Sequence, residues 1–458
     1  MGSVQRVAVI GGGGVRVPLL LNGLMRRAQA LGLEEVRLYD LLGERASLMQ
    51  ALGEALRARH GASCRIAVSK TLDETIEGAS FVFSAVRIGG AQGRISDERI
   101  PLQHGLLGQE TTGIGGMSMA LRTIPFALHL AERMHALAPQ AWFLNFTNPS
   151  GLIVEALAQA GHRHAIGLCD APSGLKAEIC RFLGIPEEQA SLGYQGLNHL
   201  GWVQSVQVQG EDVLPHLIAQ APALAQHVRS LGFFGPQLLQ GLGLLPNEYL
   251  YYYYFRRAAL ERELAAEATR GEMVRDWNER IYADVSAALS AGGADEAIER
   301  YRAILAARRN SYMAEVTQTG HDRGITADTI FREEGYEGLA LKAMSALAGG
   351  EPAELVLNVE SAGASDILAP HEIGELTCRV DADGAHPLPA PPLPPGPRGL
   401  VRSVKDYELW TVKAARSGSR ESLLEAAQAH PLIGDRPQAE ACLDALLDAH
   451  RADLPQFA

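Results

Sequence analysis

Two side chains able to bind a metal stand about thirty residues apart: Cys169, in Gly167-Leu168-Cys169-Asp170-Ala171-Pro172, and His199, in Gly196-Leu197-Asn198-His199-Leu200-Gly201-Trp202. Each reads as the end of a strand. A thiolate and an imidazole on one divalent ion leave most of its positions open, so that two hydroxyls of a ligand could chelate it. Alone the pair says little, because a buried cysteine is usually a small hydrophobe. The elements before them decide whether they matter.

The chain opens with an apolar strand, Val7-Ala8-Val9-Ile10, then Gly11-Gly12-Gly13-Gly14, then a helical pattern from about Pro18 to Ala30 with Leu19, Leu20, Leu24 and Met25 on one side. Strand, glycine turn and helix in that order form a cradle for a dinucleotide pyrophosphate, which meets bare backbone N–H groups at a helix N-terminus. A second strand, Glu35 to Tyr39, ends in Asp40, the expected partner of the adenosine ribose hydroxyls. Arg16 stands where the third glycine of the fingerprint belongs. Asp40 favours NAD over NADP, and Arg16 and Arg37 leave that choice open.

Further strands are expected at Phe81 to Val86, Trp142 to Phe146 and His164 to Leu168. Arg87 to Arg94 reads as a polar glycine-rich loop, Asp97 to Gly116 as loop-rich, and Met117 to Leu137 as a helix. Thr147-Asn148-Pro149-Ser150 turns into a helix carrying Leu152, Val154 and Ala156. This alternation predicts a parallel sheet, with ligands bound at the carboxyl ends of its strands. Beyond Trp202 the pattern changes: an aromatic cluster at Tyr249 and Tyr251 to Tyr254, a charged helix from Glu261 to Ala283, a helix from Gly335 to Leu347 and a strand from Leu355 to Val359. After a proline-dense stretch, Pro387 to Pro397, two helical runs close the chain, Val401 to Ser417 and Ser422 to Asp453. No internal repeat is visible.

With 458 residues, 47% hydrophobic and 21% charged, the chain has the composition of a globular enzyme of two or three lobes. A net charge of −12 disfavours a nucleic-acid partner, whose phosphates call for a basic face. It leaves room for a phosphorylated small molecule, which needs only a few placed arginines. Five scattered cysteines argue against a disulfide framework and for a reducing cytoplasm. Val7 to Ile10 runs straight into glycines, so it reads as a buried strand and not as an export segment. No stretch approaches the roughly 18 apolar residues that suggest a membrane span.

Several of these segments resemble glycoside hydrolase family four: Ile10-Gly11-Gly12-Gly13, Asp97 to Leu102 with Gly108-Gln109-Glu110-Thr111, Leu121-Arg122-Thr123-Ile124-Pro125, Asn145-Phe146-Thr147-Asn148-Pro149, Gly167-Leu168-Cys169 and Gly196-Leu197-Asn198-His199. The ending, from Ala449-His450-Arg451 to Leu454-Pro455-Gln456-Phe457, resembles that of the family's 6-phospho-β-glucosidases. The resemblance implies an α/β fold. An N-terminal Rossmann-type parallel sheet over residues 1–168 binds NAD, and a C-terminal α+β domain over 169–458, similar to that of lactate and malate dehydrogenases, binds metal and substrate. It also implies hydrolysis of 6-phospho-glycosides without the usual pair of catalytic carboxylates. The carbon-3 hydroxyl is oxidised with NAD, a proton is taken from carbon 2, the aglycone is eliminated, water adds, and the hydride returns.

Carried over by position, Cys169 and His199 would hold the metal, manganese or another divalent ion. Tyr249 would be the carbon-2 base and Asp170 the proton donor to the leaving oxygen. Arg94, Asn148 and Arg270 would hold the phosphosugar, while Gly11 to Gly14 and Asp40 hold the nucleotide. Asp170 departs from many β-type members, which carry Asn there, and agrees with α-type ones; it could instead orient Cys169 or cap the next helix. Tyr251 to Tyr254 compete with Tyr249 for the base. The substrate would be a phosphorylated disaccharide or aryl glycoside, and the assembly a homodimer or homotetramer. Alternatives are a 6-phospho-α-glucosidase, a hydrolase of unphosphorylated glycosides or uronides, a 2-hydroxy-acid dehydrogenase, or an NAD-binding sensor without turnover.

Overall fold

The computed structural model describes residues 5–312, 325–331 and 335–457. Six parallel strands form its first half: β1 (Arg6–Ile10), β2 (Glu35–Tyr39), β3 (Arg65–Val68), β4 (Phe81–Ser84), β5 (Trp142–Asn145) and β6 (Ala165–Gly167). Their spatial order is β6-β5-β4-β1-β2-β3, the Rossmann order, whose direction of winding reverses between β1 and β4. Val7 to Ile10 are all buried, as expected for a parallel strand covered on both faces.

The sheet does not stop at β6. The chain continues with β7 (Ala190–Leu197), β8 (Leu200–Val208), β9 (Glu211–Asp212), β10 (Leu245–Pro246), β11 (Ala353–Glu360), β12 (Ile373–Asp381) and β13 (Gly384–Pro387). Strand β11 joins β6 antiparallel through one residue pair, Asn358 opposite Gly167, and β12, β7, β8 and β10 extend the sheet beyond it. Gly167 is required at this junction, because a Cβ there would lie 2.5 Å from the Ser150 hydroxyl oxygen.

The expected β1, β2, β4, β5 and β6 are present within a residue or two at their ends, as is β11. Four expectations are corrected. Arg87 to Arg94 is not a loop throughout and Asp97 to Gly116 is not loop-rich, because a helix runs over Gly90–Gln103 and the next begins at Gly113. The cause is a buried ion cluster: Arg122 holds Asp97 bidentately at 3.0 and 2.6 Å, and His450 Nε2 lies 2.9 Å from the same carboxylate. The expected helix from Glu261 to Ala283 is two helices, Arg256–Ala265 and Arg270–Ser290, the second started by a Thr269/Glu272 capping box. The last helical run also divides, into Arg420–Ala429 and Arg436–Ala449. Pro431 follows the first of these, and Asp435 caps the second by accepting from the Gln438 N–H. Among the described residues no helix is long and apolar enough to cross a membrane.

His430, at the end of the helix Arg420–Ala429, is buried against the start of the helix Gly113–Leu137. Its Nδ1 accepts from the Leu432 N–H at 3.1 Å, and its Nε2 lies 3.3 Å from both the Thr112 and Tyr253 hydroxyls. Burial, with a smaller push from Arg256, lowers its pKa to about 3. An unfolded histidine titrates near 6.5, so as the pH falls the unfolded chain takes up this proton first. The contribution is therefore intact above about pH 6.5 and is lost toward pH 3, at about 1.4 kcal/mol per pH unit. Urea midpoints measured downward from neutral pH should fall more steeply for the parent than for His430→Asn; parallel slopes would refute this.

Candidate active site

The carboxyl ends of the parallel strands carry the glycine loop Gly11 to Gly14. Gly11 turns the chain with φ +88°, where a Cβ would meet the Ala85 carbonyl oxygen at 2.5 Å. The N–H groups of Gly11 and Gly12 donate to the Tyr39 carbonyl at 2.9 and 2.8 Å, which ties the loop to the end of β2. Asp40 follows directly, its carboxylate accepting from the N–H groups of Gly13 (3.0 Å) and Leu42 (2.9 Å). The helix Val17–Leu31 starts without a side-chain cap, so its first N–H groups suit an anion. Tyr282, from the helix Arg270–Ser290, closes the loop from outside by donating to the Gly13 carbonyl at 2.8 Å. Arg16 turns toward Asp170, with 3.5 Å between Nη2 and Oδ2.

Cys169 lies two residues beyond β6, and His199 at the tip of the β7–β8 hairpin, where Leu197 pairs with Leu200 around a two-residue turn. His199 has φ +64°, as tight hairpin turns demand. Asn198 beside it accepts from the Ser150 N–H and donates to Glu375 Oε1, both at 3.1 Å. The His199 ring is 1% exposed and neither of its nitrogens has a hydrogen-bond partner. Burial brings its pKa to about 4, so the ring is neutral and carries a lone pair in a dry site. Burial, then Glu375 and Asp170, pushes the Cys169 thiol well above its usual range, which only a nearby cation would reverse. An orphaned imidazole and a thiol fit a divalent ion whose remaining positions go to a ligand. Among the described residues no group of three or more His, Cys, Asp or Glu side chains forms a metal site.

Tyr249 stacks face to face on His199, with centroids 3.7 Å apart and planes 9° apart. Its hydroxyl accepts from Tyr312 at 2.5 Å. Burial, then the Cys169 charge, pushes this phenol well above its ordinary pKa. Of its neighbours, Tyr251 bonds Arg262 and Tyr253 bonds Thr112, both away from His199. Asp170 occupies the cap position of the helix Ala171–Leu183 without making a side-chain cap bond there.

A cleft is lined in part by Arg94, Glu110, Tyr249, Tyr252, Arg270 and Tyr312. Arg94 is held by two carboxylates, Glu98 at Nε and Glu110 at Nη1, each at 2.8 Å, and Glu110 is also bonded by Arg87. Arg270 begins its helix and donates to the carbonyl and hydroxyl oxygens of Ser311 at 2.9 Å. Asn148 sits outside that lining, half-buried in the turn after β5, where the Asn148–Pro149 bond is cis.

Glu375 on β12 escaped the sequence reading. It is fully buried and accepts from Tyr194 (2.9 Å), Asn198 (3.1 Å) and Asn358 (3.3 Å). Burial raises its pKa to about 7, against hydrogen bonds from Asn198, Tyr194, Asn358 and the Cys169 thiol. Glu110 and Tyr312 were also missed as neighbours of His199 and Tyr249. None has a local sequence signal.

The model of the family 4 glycosyl hydrolases matches residues 6–185, and that of their C-terminal domain matches residues 194–433. The chain belongs to glycosyl hydrolase family 4. A 6-phospho-beta-glucosidase of Escherichia coli is 29% identical, over 100% of this chain and 98% of its own. A 6-phospho-alpha-glucosidase of Lacticaseibacillus paracasei is 26% identical, over 98% of each. The Thermotoga maritima 6-phospho-beta glucosidase, solved with manganese, NAD+ and glucose-6-phosphate, superimposes with a TM-score of 0.80 at 27% identity, covering 98% of this chain and 99% of that one. A likeness of fold alone extends to a Cryptosporidium parvum malate dehydrogenase, with a TM-score of 0.50 at 12% identity over 90% and 99% of the two chains.

Glu375 offers a test of how this family 4 site is held. In Glu375→Leu three buried donors lose their acceptor, at about 1–3 kcal/mol each. The urea midpoint should drop well below that of Glu375→Gln, which keeps an acceptor oxygen. Equal midpoints would show that the carboxylate organises nothing.

Proposed function

We propose that the chain hydrolyses 6-phospho-glycosides, 6-phospho-β-glucosides foremost, with NAD and a divalent metal such as manganese. The observation that carries this reading is His199, dry and unbonded at both nitrogens, stacked on Tyr249 at a cleft edged by Arg94 and Arg270. The named relatives, of which the β-type one is the more similar, support it.

Gly11 to Gly14 and Asp40 hold the nucleotide, and Cys169 and His199 hold the metal. When bound, these groups supply reversible oxidation at carbon 3 of the sugar and Lewis acidity at its oxygen. Tyr249 takes the carbon-2 proton. Its phenol needs a neighbouring positive charge for this, since burial alone holds it protonated. Asp170 gives a proton to the leaving oxygen; its pairing with Arg16 keeps the carboxyl beside the nucleotide loop. Arg94 and Arg270 receive the phosphate through planar forks, and Asn148 a sugar hydroxyl. The division near residue 168 then separates the nucleotide half from the half that brings the metal ligands and the base. We place the enzyme in the cytoplasm as a homodimer or homotetramer.

A 2-hydroxy-acid dehydrogenase would need a carboxylate on the inner nitrogen of its catalytic histidine, and His199 has none.

Aryl 6-phospho-β- and 6-phospho-α-glucosides, each with and without NAD and manganese under reducing conditions, test the reading. The β substrate should be cleaved faster, only with both cofactors, and more slowly with deuterium at carbon 2. Faster cleavage of the α substrate reverses the anomer, and cleavage of only neutral glycosides or uronides removes the phosphate. Cys169→Ser should weaken manganese binding, read by calorimetry, while NAD still binds; unchanged manganese affinity would sink the metal assignment.

A further inference from the structure

Glu98 has no role in the function assigned so far, yet it joins the two segments that carry Arg94 and Arg270. It lines the same cleft, one turn after Arg94 in the helix Gly90–Gln103, and is 1% exposed. Its two carboxylate oxygens serve different elements. Oε1 accepts from Arg94 Nε at 2.8 Å, and Oε2 accepts from the Gly271 N–H at 2.6 Å. Gly271 follows Arg270 in the first turn of the helix Arg270–Ser290. Its N–H is one of the donors that a helix start leaves without an intrahelical partner, and Glu98 takes it from a neighbouring helix. The approach leaves no room for a side chain: a Cβ on residue 271 would lie 2.8 Å from Glu98 Oε2 and 3.1 Å from Arg94 Cγ. The stem of Arg94 thus lies against the start of the Arg270 helix, with one carboxylate bonded to both.

Neither charge balance nor helix packing requires this carboxylate. Arg94 has a second one, Glu110, 2.8 Å from its Nη1. The two helices are also tied by half-buried Arg99, whose Nε and Nη2 both bond Glu272. A further negative charge beside a cleft that receives an anion works against that anion. What Glu98 adds is a fixed relation between one guanidinium and the backbone that carries the other. Planar forks bind a phosphate well only when they are aligned on it.

We propose that Glu98 is a positioning residue for the substrate phosphate: it fixes Arg94 relative to the start of the helix that carries Arg270, so that both forks meet one anion. This rests on the phosphosugar reading above. Positioning and mere charge offset differ in sign. If Glu98 only offsets charge, its neutralisation in Glu98→Gln tightens the binding of an anion. If it positions, the same change weakens binding, because glutamine has one acceptor oxygen and must turn its NH2 donors toward either Arg94 Nε or the Gly271 N–H.

Calorimetric titrations of the full chain with glucose 6-phosphate, glucose and NAD should be compared for the parent, Glu98→Gln and Gly271→Ala. Misplacing one fork costs about one charge-assisted contact, so glucose 6-phosphate binding should weaken about 10- to 100-fold in Glu98→Gln, with NAD affinity kept. Gly271→Ala displaces the same carboxylate without changing any charge. It should weaken glucose 6-phosphate in the same direction, and it decides the matter if Glu98→Gln does not fold. Unchanged or tighter glucose 6-phosphate binding in either folded variant overturns the proposal. Equal weakening of NAD also overturns it, since a general loosening of the fold would affect both ligands. A parent that binds glucose 6-phosphate no better than glucose fails at an earlier point, because it removes the phosphosugar reading itself.

Discussion

One buried carboxylate ties together the segments on which the site depends. Glu375 reaches Tyr194 on β7, Asn198 at the β7–β8 tip, Asn358 on β11 and the thiol of Cys169 just past β6. These four places are far apart in the chain and meet where the parallel half of the sheet gives way to the antiparallel half. The join itself is thin, one residue pair at Gly167 and Asn358. A buried carboxylate with no cation beside it among the described residues is a costly way to hold such a seam. Its return is geometric: with three donors fixed around it, the hairpin tip cannot shift without orphaning at least one of them, so His199 stays opposite the end of β6.

The cleft solves a second problem, that of presenting cations to an anion in a chain of net charge −12. It does so by local matching. Carboxylates beside Arg94 and Arg16 fix those side chains and offset their charge. The buried pairs Arg122–Asp97 and Lys405–Glu155, each fully enclosed, stand elsewhere and serve packing. Arg122–Asp97 joins the C-terminal tail to the helix Gly90–Gln103 through His450. Lys405–Glu155 joins the helix Pro395–Ser417 to the helix Ser150–Gln159.

How much of this could be read from the chain depended on the range over which each signal acts. Strand β1 announced itself as an apolar run leading into glycines, as suits a strand buried on both faces. Asp40 was legible from its place at the end of β2. The β7–β8 hairpin was not, since Asn198-His199 lacks the glycine usual in such turns. The Gly90–Gln103 helix was hidden by its polar residues: Asp97 and Glu98, in a stretch expected to be loop-rich, are buried against partners distant in sequence. Glu375 was illegible for the same reason. A charged residue shows in the sequence, while the absence or presence of its partner shows only in the fold.

The arrangement around His199 links proton positions to cation binding more tightly than a list of ligands suggests. Burial holds the Cys169 thiol and the Tyr249 phenol protonated and the His199 ring neutral. For the first two, the neighbouring acids add to that effect, since Glu375 and Asp170 raise the thiol, and Glu248 and Asp170 raise the phenol. A divalent charge between thiol and imidazole would oppose these shifts in the thiol and the phenol and would keep the imidazole neutral. On the function proposed above, Cys169 would then give up its proton, His199 would engage its lone pair, and Tyr249, stacked at 3.7 Å on that ring, would come under the same positive field. On that reading the groups would be inert together and competent together, which would restrict a strong base in a dry pocket to the loaded site.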